Sequence, residues 1–288
     1  MPIRQFAVDL GTANTAIYAK DVGIVLREPS MIAGASPLRR GAIADFSLAT
    51  DMLKLFLGQS GIRNSVVRRS EVLFCVPCGA TEVERRAVFG AAKGAGVKEV
   101  CIIAQPMAAA VGAGLAVGEA DGCMVVDIGA GTCEAAVISL GDIVVSRSTF
   151  AAGNCFDDAI IAHIRKRYGL RIDKTTAEDI KIRIGSAFPC QYEDTMSVQG
   201  HEITAGEIRQ AFAVPLAQIL EAIEAVLDET PPEYKAGIAR TGITLTGGGA
   251  LLRGLKDFIA RETGIPVRVA KDAPDCVING AGQCLAAG

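Results

Sequence analysis

The sequence holds no tryptophan, and aromatic residues make up only 5% of it, so the stacking platforms that hold single-stranded nucleic acid are not expected. Histidine is nearly as scarce. Only two occur, His163 and His201, in separate polar segments, which argues against histidine-ligated metal centres and Ser-His-Asp chemistry. Neither charge sign is in large excess: the net charge is −3, which gives no reason to expect nucleic acid as a partner. Half of the residues are hydrophobic and mean hydropathy is +0.34. Even so, no apolar run reaches the length of a membrane span, and Met1–Asp9 lacks signal-peptide character. A disulfide framework is also missing. The nine cysteines are an odd number, and Cys101, Cys123 and Cys133 sit inside apolar runs, as reduced thiols do in cytosolic proteins. Cys75-Val-Pro-Cys78 is a C-x-x-C in form only: it has no helix start between its cysteines and no second pair for zinc. These absences leave a cytoplasmic α/β chain, and its 288 residues suffice for two modest domains.

What the chain does contain is one pattern written twice. An apolar run ends in Asp9-Leu10-Gly11-Thr12-Ala13-Asn14-Thr15, followed by a strand-like stretch 16–20, a turn at 21–23 and a second stretch 24–26. Cys123–Ile128 leads in the same way into Asp127-Ile128-Gly129-Ala130-Gly131-Thr132, a strand 134–140, a turn at Gly141-Asp142 and a strand 143–146. Glycines let the backbone approach phosphate oxygens and turn successive N–H groups toward them. An aspartate at the strand end suits a hydrated Mg²⁺. One such turn is equally a simple hairpin. Two copies, one in each half, fit a cleft that grips a polyphosphate from both sides.

The remaining chain alternates strands and helices. A strand is predicted over 71–76, then a helix capped by Thr81 with Glu84 completing a capping box. Another strand over 100–104 leads to Pro106 at the first position of a small-residue helix, 107–115. Helices are predicted over 154–168 and 175–187. Thr204 and Glu207 form a second capping box, opening one long helix to about residue 227, where Pro231-Pro232 breaks the chain. A strand over 243–246 runs into Gly247-Gly248-Gly249, then a helix over 250–262. The triple glycine is either a backbone surface for adenosine or a close helix–sheet packing turn; alone it favours the latter.

In this order the motifs resemble the MreB/Mbl branch of the actin, Hsp70 and sugar kinase superfamily. The likeness spans nearly the whole chain and is most specific at VDLGTANT (8–15), VPCGATEVERRAV (76–88), PMAAAVGAGL (106–115), MVVDIGAGTCEAAVISL (124–140), TAEDIKIRIGSA (176–187) and LTGGGALLRGL (245–255). It implies a duplicated actin-like, ribonuclease H-like α/β fold around a nucleotide cleft. Domain I would comprise 1–121 plus 271–288 and domain II 122–270, with a small subdomain at roughly 165–208. It also implies ATP with Mg²⁺. Thr12, Ala13 and Asn14 would bind phosphate from one side, and Gly129, Gly131 and Thr132 from the other. Gly153 and Asn154 would contact nucleotide, with Ala152 where the family has a glycine. Glu178 and Lys181 would flank adenine and ribose; without the resemblance they read as a solvated i, i+3 pair. Gly247, Gly248, Gly249 and Ala250 would close the adenosine side, and Asp9 and Asp127 would hold Mg²⁺ through water.

Three departures accompany the likeness. Gln105 stands where the family normally has a glutamate that handles the attacking water; an amide positions water but takes no proton. Slow hydrolysis is therefore the expectation. Ala130 replaces a glycine and is tolerable only where φ is negative. Ser30–Ala44 holds 15 residues, too few for the small subdomain that the family inserts there, and 191–207 is also short. ATP binding thus transfers more firmly than polymerisation. The alternatives are a cytoskeletal, cell-shape ATPase that self-associates or co-assembles with a full-length paralogue, and a non-polymerising nucleotide-switched regulator or chaperone. Ile62, Val66 and Val67 interleave with Arg63, Arg68 and Arg69 in Gly61–Arg69. That composition suits either peripheral contact with an anionic inner membrane or a plain connector.

Overall fold

The computed structural model describes residues 3–62, 67, 69–189 and 194–285. Two five-stranded sheets account for most of it. In the first half, β1 (Ile3–Leu10), β2 (Asn14–Ala19) and β3 (Gly23–Pro29) form an antiparallel meander. A two-residue hairpin, β4 (Leu38–Arg39) and β5 (Ala42–Ile43), and helix α1 (Phe46–Gln59) follow. β6 (Ser70–Val76) then pairs parallel to β1, α2 (Glu82–Gly94) crosses over, and β7 (Glu99–Ala104) pairs parallel to β6. Helix α3 (Gln105–Gly112) closes the half.

The second half repeats this plan. β8 (Cys123–Ile128), β9 (Cys133–Ser139) and β10 (Asp142–Thr149) form the meander, then come helices α4 (Gly153–Tyr168) and α5 (Lys174–Ile184). A hairpin, β11 (Thr195–Val198) and β12 (His201–Thr204), precedes α6 (Ala205–Ala211), α7 (Ala213–Glu229) and α8 (Pro232–Thr241). β13 (Ile243–Thr246) pairs parallel to β8, and β14 (Val267–Val269) pairs parallel to β13 after helix α9 (Leu255–Thr263). Helix α10 (Cys276–Cys284) ends the chain. The strand orders are β3-β2-β1-β6-β7 and β10-β9-β8-β13-β14, one topology used twice. Every residue of β8 is buried, as a central strand covered on both faces requires.

Helices α3 and α10 lie together between the sheets. Ala108 of α3 and Ala281 of α10 share one core cluster with Ala7 and Leu73 of the first sheet and Val125 and Ala136 of the second. The helices approach to backbone contact, because the positions between them are small. A Cβ on Gly112 would lie 1.9 Å from the Cys276 carbonyl oxygen, and one on Gly280 would lie 1.8 Å from that of Ala108. This packing holds the N-terminus of each helix at the bottom of the cleft.

Several predicted boundaries shift. The long helix after Thr204 is two helices, α6 and α7, bent by 53°. Pro215 cannot donate to the carbonyl of Ala211, so the ladder breaks at buried Phe212. The helix predicted from residue 250 begins instead as a 3₁₀ turn, Gly248–Leu251. The Arg253 carbonyl accepts from Ala187 N–H (2.8 Å) and Gly254 takes φ +69°, and only then does α9 start. Pro232 starts a helix rather than ending one, with Pro231 as its cap. Pro106 sits second in α3, behind Gln105. The capping boxes at Thr81–Glu84 and Thr204–Glu207 are both formed. Positions 63–66 and 68 of the Gly61–Arg69 segment, with the membrane contact expected of it, lie outside the described residues, as do 190–193. Among the described residues no single helix is long and apolar enough to cross a membrane.

Candidate functional site

Asp9 and Asp127 occupy equivalent places, each next to last in the central strand of its sheet and paired in register with the following strand (Ala16 and Glu134). Both line one cleft of about 830 Å³. Thr12 and Asn14 of the first turn line it from one half, and Gly129, Gly131 and Thr132 from the other. Gln105, at the start of α3, and Gly247 and Gly248, after β13, also line it, as does Arg27, which is ion-paired to Asp275. The fold therefore gathers into one space residues that the sequence spreads over more than two hundred positions.

The glycines of the second turn are needed for space. A Cβ on Gly131 would lie 2.4 Å from Thr12 Oγ1, so only glycine lets the two turns meet. Gly129 and Gly131 do not have positive φ, and neither does Ala130, which removes the steric objection to an alanine there. Gly247 needs both freedoms: its φ is +79° and a Cβ would strike the Ile128 carbonyl at 2.3 Å.

Two carboxylates dominate the electrostatics. Burial and, to a lesser extent, the nearby Asp127 charge push Asp9 up to about 7 against a hydrogen bond from Gln105. Burial lifts Asp127 to about 6 against a hydrogen bond from Thr246. Gln105 Nε2 donates to Asp9 Oδ1 at 3.2 Å, and Thr246 Oγ1 donates to Asp127 Oδ1 at 2.8 Å. Each aspartate is thereby fixed by a neutral donor. Among the described residues no basic side chain is ion-paired with either aspartate, since Arg27, which also lines the cleft, is paired with Asp275; such an arrangement favours a cation.

The residues expected on the adenosine side stand beside this cleft. Gly153 N–H donates to the Gly129 carbonyl (3.0 Å) and Asn154 N–H to that of Ala130 (2.8 Å), tying the start of α4 to the second turn. Lys181 Nζ lies 2.8 Å from Asp157 Oδ1, 3.3 Å from the Gly153 carbonyl and 3.9 Å from Glu178 Oε1. Ala13 is exposed, with its carbonyl held by Ser30 N–H at 2.8 Å. Gly249 packs on the Ile128 side chain and Ala250 is buried in the second-half core, so neither presents a side to the cleft. Sequence reasoning missed Thr246, Asp157 and Glu134. The last two carried a signal, a carboxylate inside an otherwise apolar pattern, which demands a buried partner.

Comparison with known proteins follows this geometry. The profile described as MreB/Mbl protein matches residues 3–36 and 34–287. The chain belongs to the MreB/Mbl family. It is 44% identical over 323 residues to the cell shape-determining protein MreB of Escherichia coli K12, covering 98% of this chain and 93% of that protein. Against the cell shape-determining protein Mbl of Bacillus subtilis 168 it is 38% identical over 319 residues, covering 98% and 96%. The MreB 5 of Spiroplasma citri bound to AMPPNP superposes with a TM-score of 0.88 at 35% identity, over 96% of this chain and 93% of that one. The MamK double helical filament, at 20% identity and a TM-score of 0.81 over 97% and 98%, shares the fold. The architecture of this MreB/Mbl member is thus actin-like.

Proposed function

We propose that the chain is an actin-like cytoskeletal protein of the cell-shape type, which holds ATP between its two Asp-x-Gly turns and assembles into filaments. The observation that carries this reading is the pair of equivalent turns, Asp9–Asn14 and Asp127–Thr132, set on equivalent strands of two identically ordered sheets and lining one cleft. It is supported by the relatives named for cell-shape determination and by the MreB 5 structures bound to AMPPNP and ADP. In this reading Thr12, Ala13 and Asn14, with Gly129, Gly131 and Thr132, bind phosphates. Gly153, Asn154, Glu178, Lys181, Gly247 and Gly248 bound the nucleoside.

The fit of Asp9 and Asp127 to Mg²⁺ rests on two buried carboxylates that have no ion-pair partner among the described residues, a donor set matching a hard ion that keeps water and phosphate as further ligands. Bound there, the ion would neutralise charge on the phosphates. Gln105 spends its amide N–H on Asp9, leaving its carbonyl oxygen to orient a water but no group to take the proton. Hydrolysis is accordingly slow. The division into 1–121 plus 271–288 and 122–270 is supported by the separate sheets. The free thiols Cys75, Cys123 and Cys276 support a cytoplasmic setting.

Shortening at Ser30–Ala44 favours a second reading, a nucleotide-switched regulator that does not polymerise alone. It is supported by the two-residue strands β4 and β5 in that segment and by a family match that divides at 34–36. Thermal melts with and without ATP·Mg²⁺ test nucleotide binding; an unmoved transition sinks it. Sedimentation and electron microscopy with ATP separate filaments from a monomeric switch or from a chain that needs a full-length paralogue.

A further inference from the structure

The two halves also meet beside the phosphate turns, around a second hollow that adjoins the nucleotide cleft at Gly41 and Thr132. Its rim is built by contacts that cross from one half to the other. Arg40 and Gly41, with φ +52° and +75°, form the tight turn between β4 and β5. Such a turn suits Asn or Gly and disfavours arginine. The conformation is held by what it touches. The Arg40 guanidinium lies over the Phe150 ring, 4.8 Å from its centroid. Gly41 N–H donates to Thr12 Oγ1 at 2.9 Å, and a Cβ on Gly41 would lie 3.0 Å from both Pro77 Cγ and Thr132 Cγ2. One glycine is thus wedged between the threonines of both phosphate turns.

The second crossing is Glu134, only 1% exposed. Its Oε1 accepts from Cys78 N–H, in the first half, and from Ser148 Oγ, in the second, each at 2.7 Å. The loop Pro77–Gly79 is pressed against Ser148: a Cβ on Gly79 would lie 3.3 Å from Ser148 Oγ. A carboxylate buried in this way is costly unless its donors stay in place, so separation of the halves here exposes it to water and breaks the Cys78 hydrogen bond, leaving only the one from Ser148 in its own half.

We propose that Arg40 on Phe150 and Cys78 on Glu134 form a two-point clasp that holds the halves closed over the phosphate end of the cleft, and that nucleotide leaves only when it opens. The β4–β5 hairpin is then the moving part, because Gly41 touches both turns. The release step rests on the nucleotide reading above; the clasp itself does not.

The test uses the full chain, comparing wild type with Arg40→Ala, at the rim, and with Glu134→Gln, which keeps the volume of the buried side chain but replaces the charged acceptor of Cys78 N–H by a weaker neutral one. Amide hydrogen exchange of Cys78 and Gly79 is followed without nucleotide, and dissociation of a fluorescent N-methylanthraniloyl ATP is followed by chase with unlabelled ATP. The clasp predicts that either substitution speeds both processes by about threefold or more while exchange in β8 and β13 stays unchanged. Both rates within about twofold of wild type in both variants would overturn it. If wild type binds no labelled ATP, the nucleotide reading fails, and amide exchange alone still decides whether the clasp exists.

Discussion

Gln105 donates its amide N–H to Asp9 at 3.2 Å, across a sequence separation of 96 residues. Only the nitrogen of that amide can donate to a carboxylate, which leaves its oxygen as an acceptor. Gln105→Glu supplies the missing base and also places a second negative charge beside Asp9. Two results are expected together: phosphate release on ATP rises by about tenfold or more, and ATP binding becomes more dependent on Mg²⁺. An unchanged rate with ATP still bound would show that position 105 does not handle the water.

Gly280 sets how closely the two halves can be joined. Any side chain there meets the Ala108 carbonyl at 1.8 Å, and backbone at that place cannot swing aside as a side-chain tip can. Gly280→Ala should therefore destabilise the protein by about 3 kcal/mol, or prevent folding. Gly141→Ala serves as comparison: its φ is +81° with open space around it, so it should cost about 1 kcal/mol through backbone conformation alone. Equal losses in urea denaturation would contradict the packing argument.

The duplicated meander and both turns are legible in sequence because each is local: strand, turn and strand follow one another, and the apolar runs mark the central strands. Cys123–Ile128 is a strand with those very ends. Element ends governed by distant partners are not legible in this way. The delayed start of α9 depends on Ala187 reaching the Arg253 carbonyl, and Pro231-Pro232 reads as a break or a start until its neighbours are known. The two-residue strands at 38–39 and 42–43 carry no periodicity at all. Among site residues, the pattern identifies Asp9 and Asp127, whereas the partnership of Thr246 with Asp127 requires the parallel pairing of β13 with β8.

The buried carboxylates give the nucleotide-free protein a definite pH dependence. Asp9, Asp127 and Glu134 have folded-state values of about 7, 6 and 7, raised chiefly by burial, against about 4 in an unfolded chain. Between those values the folded state binds more protons than the unfolded one, so stability falls as pH rises. Urea denaturation without nucleotide should show a loss of at least about 3 kcal/mol between pH 5 and pH 8. ATP·Mg²⁺ should stabilise more at pH 8 than at pH 5, because a cation is held by the ionised carboxylates. A flat or rising profile for the nucleotide-free chain would remove the case for uncompensated buried charge in the cleft.

Lys181 has two roles to separate, since it is paired with Asp157 at 2.8 Å and also stands where nucleoside is expected. Both side chains are largely buried, 15% and 7% exposed, so removing one strands the other. Lys181→Ala should cost about 3–5 kcal/mol, and any fall in ATP affinity would then be ambiguous. Lys181→Met with Asp157→Leu removes both charges at similar volume and should recover most of that stability. If Lys181 serves only the fold, the double variant also recovers ATP affinity. If Lys181 touches the nucleotide, stability returns and affinity does not. Calorimetric titration of ATP into the three proteins, read beside their urea midpoints, distinguishes the two, and restored affinity in the double variant would strike Lys181 from the nucleotide site.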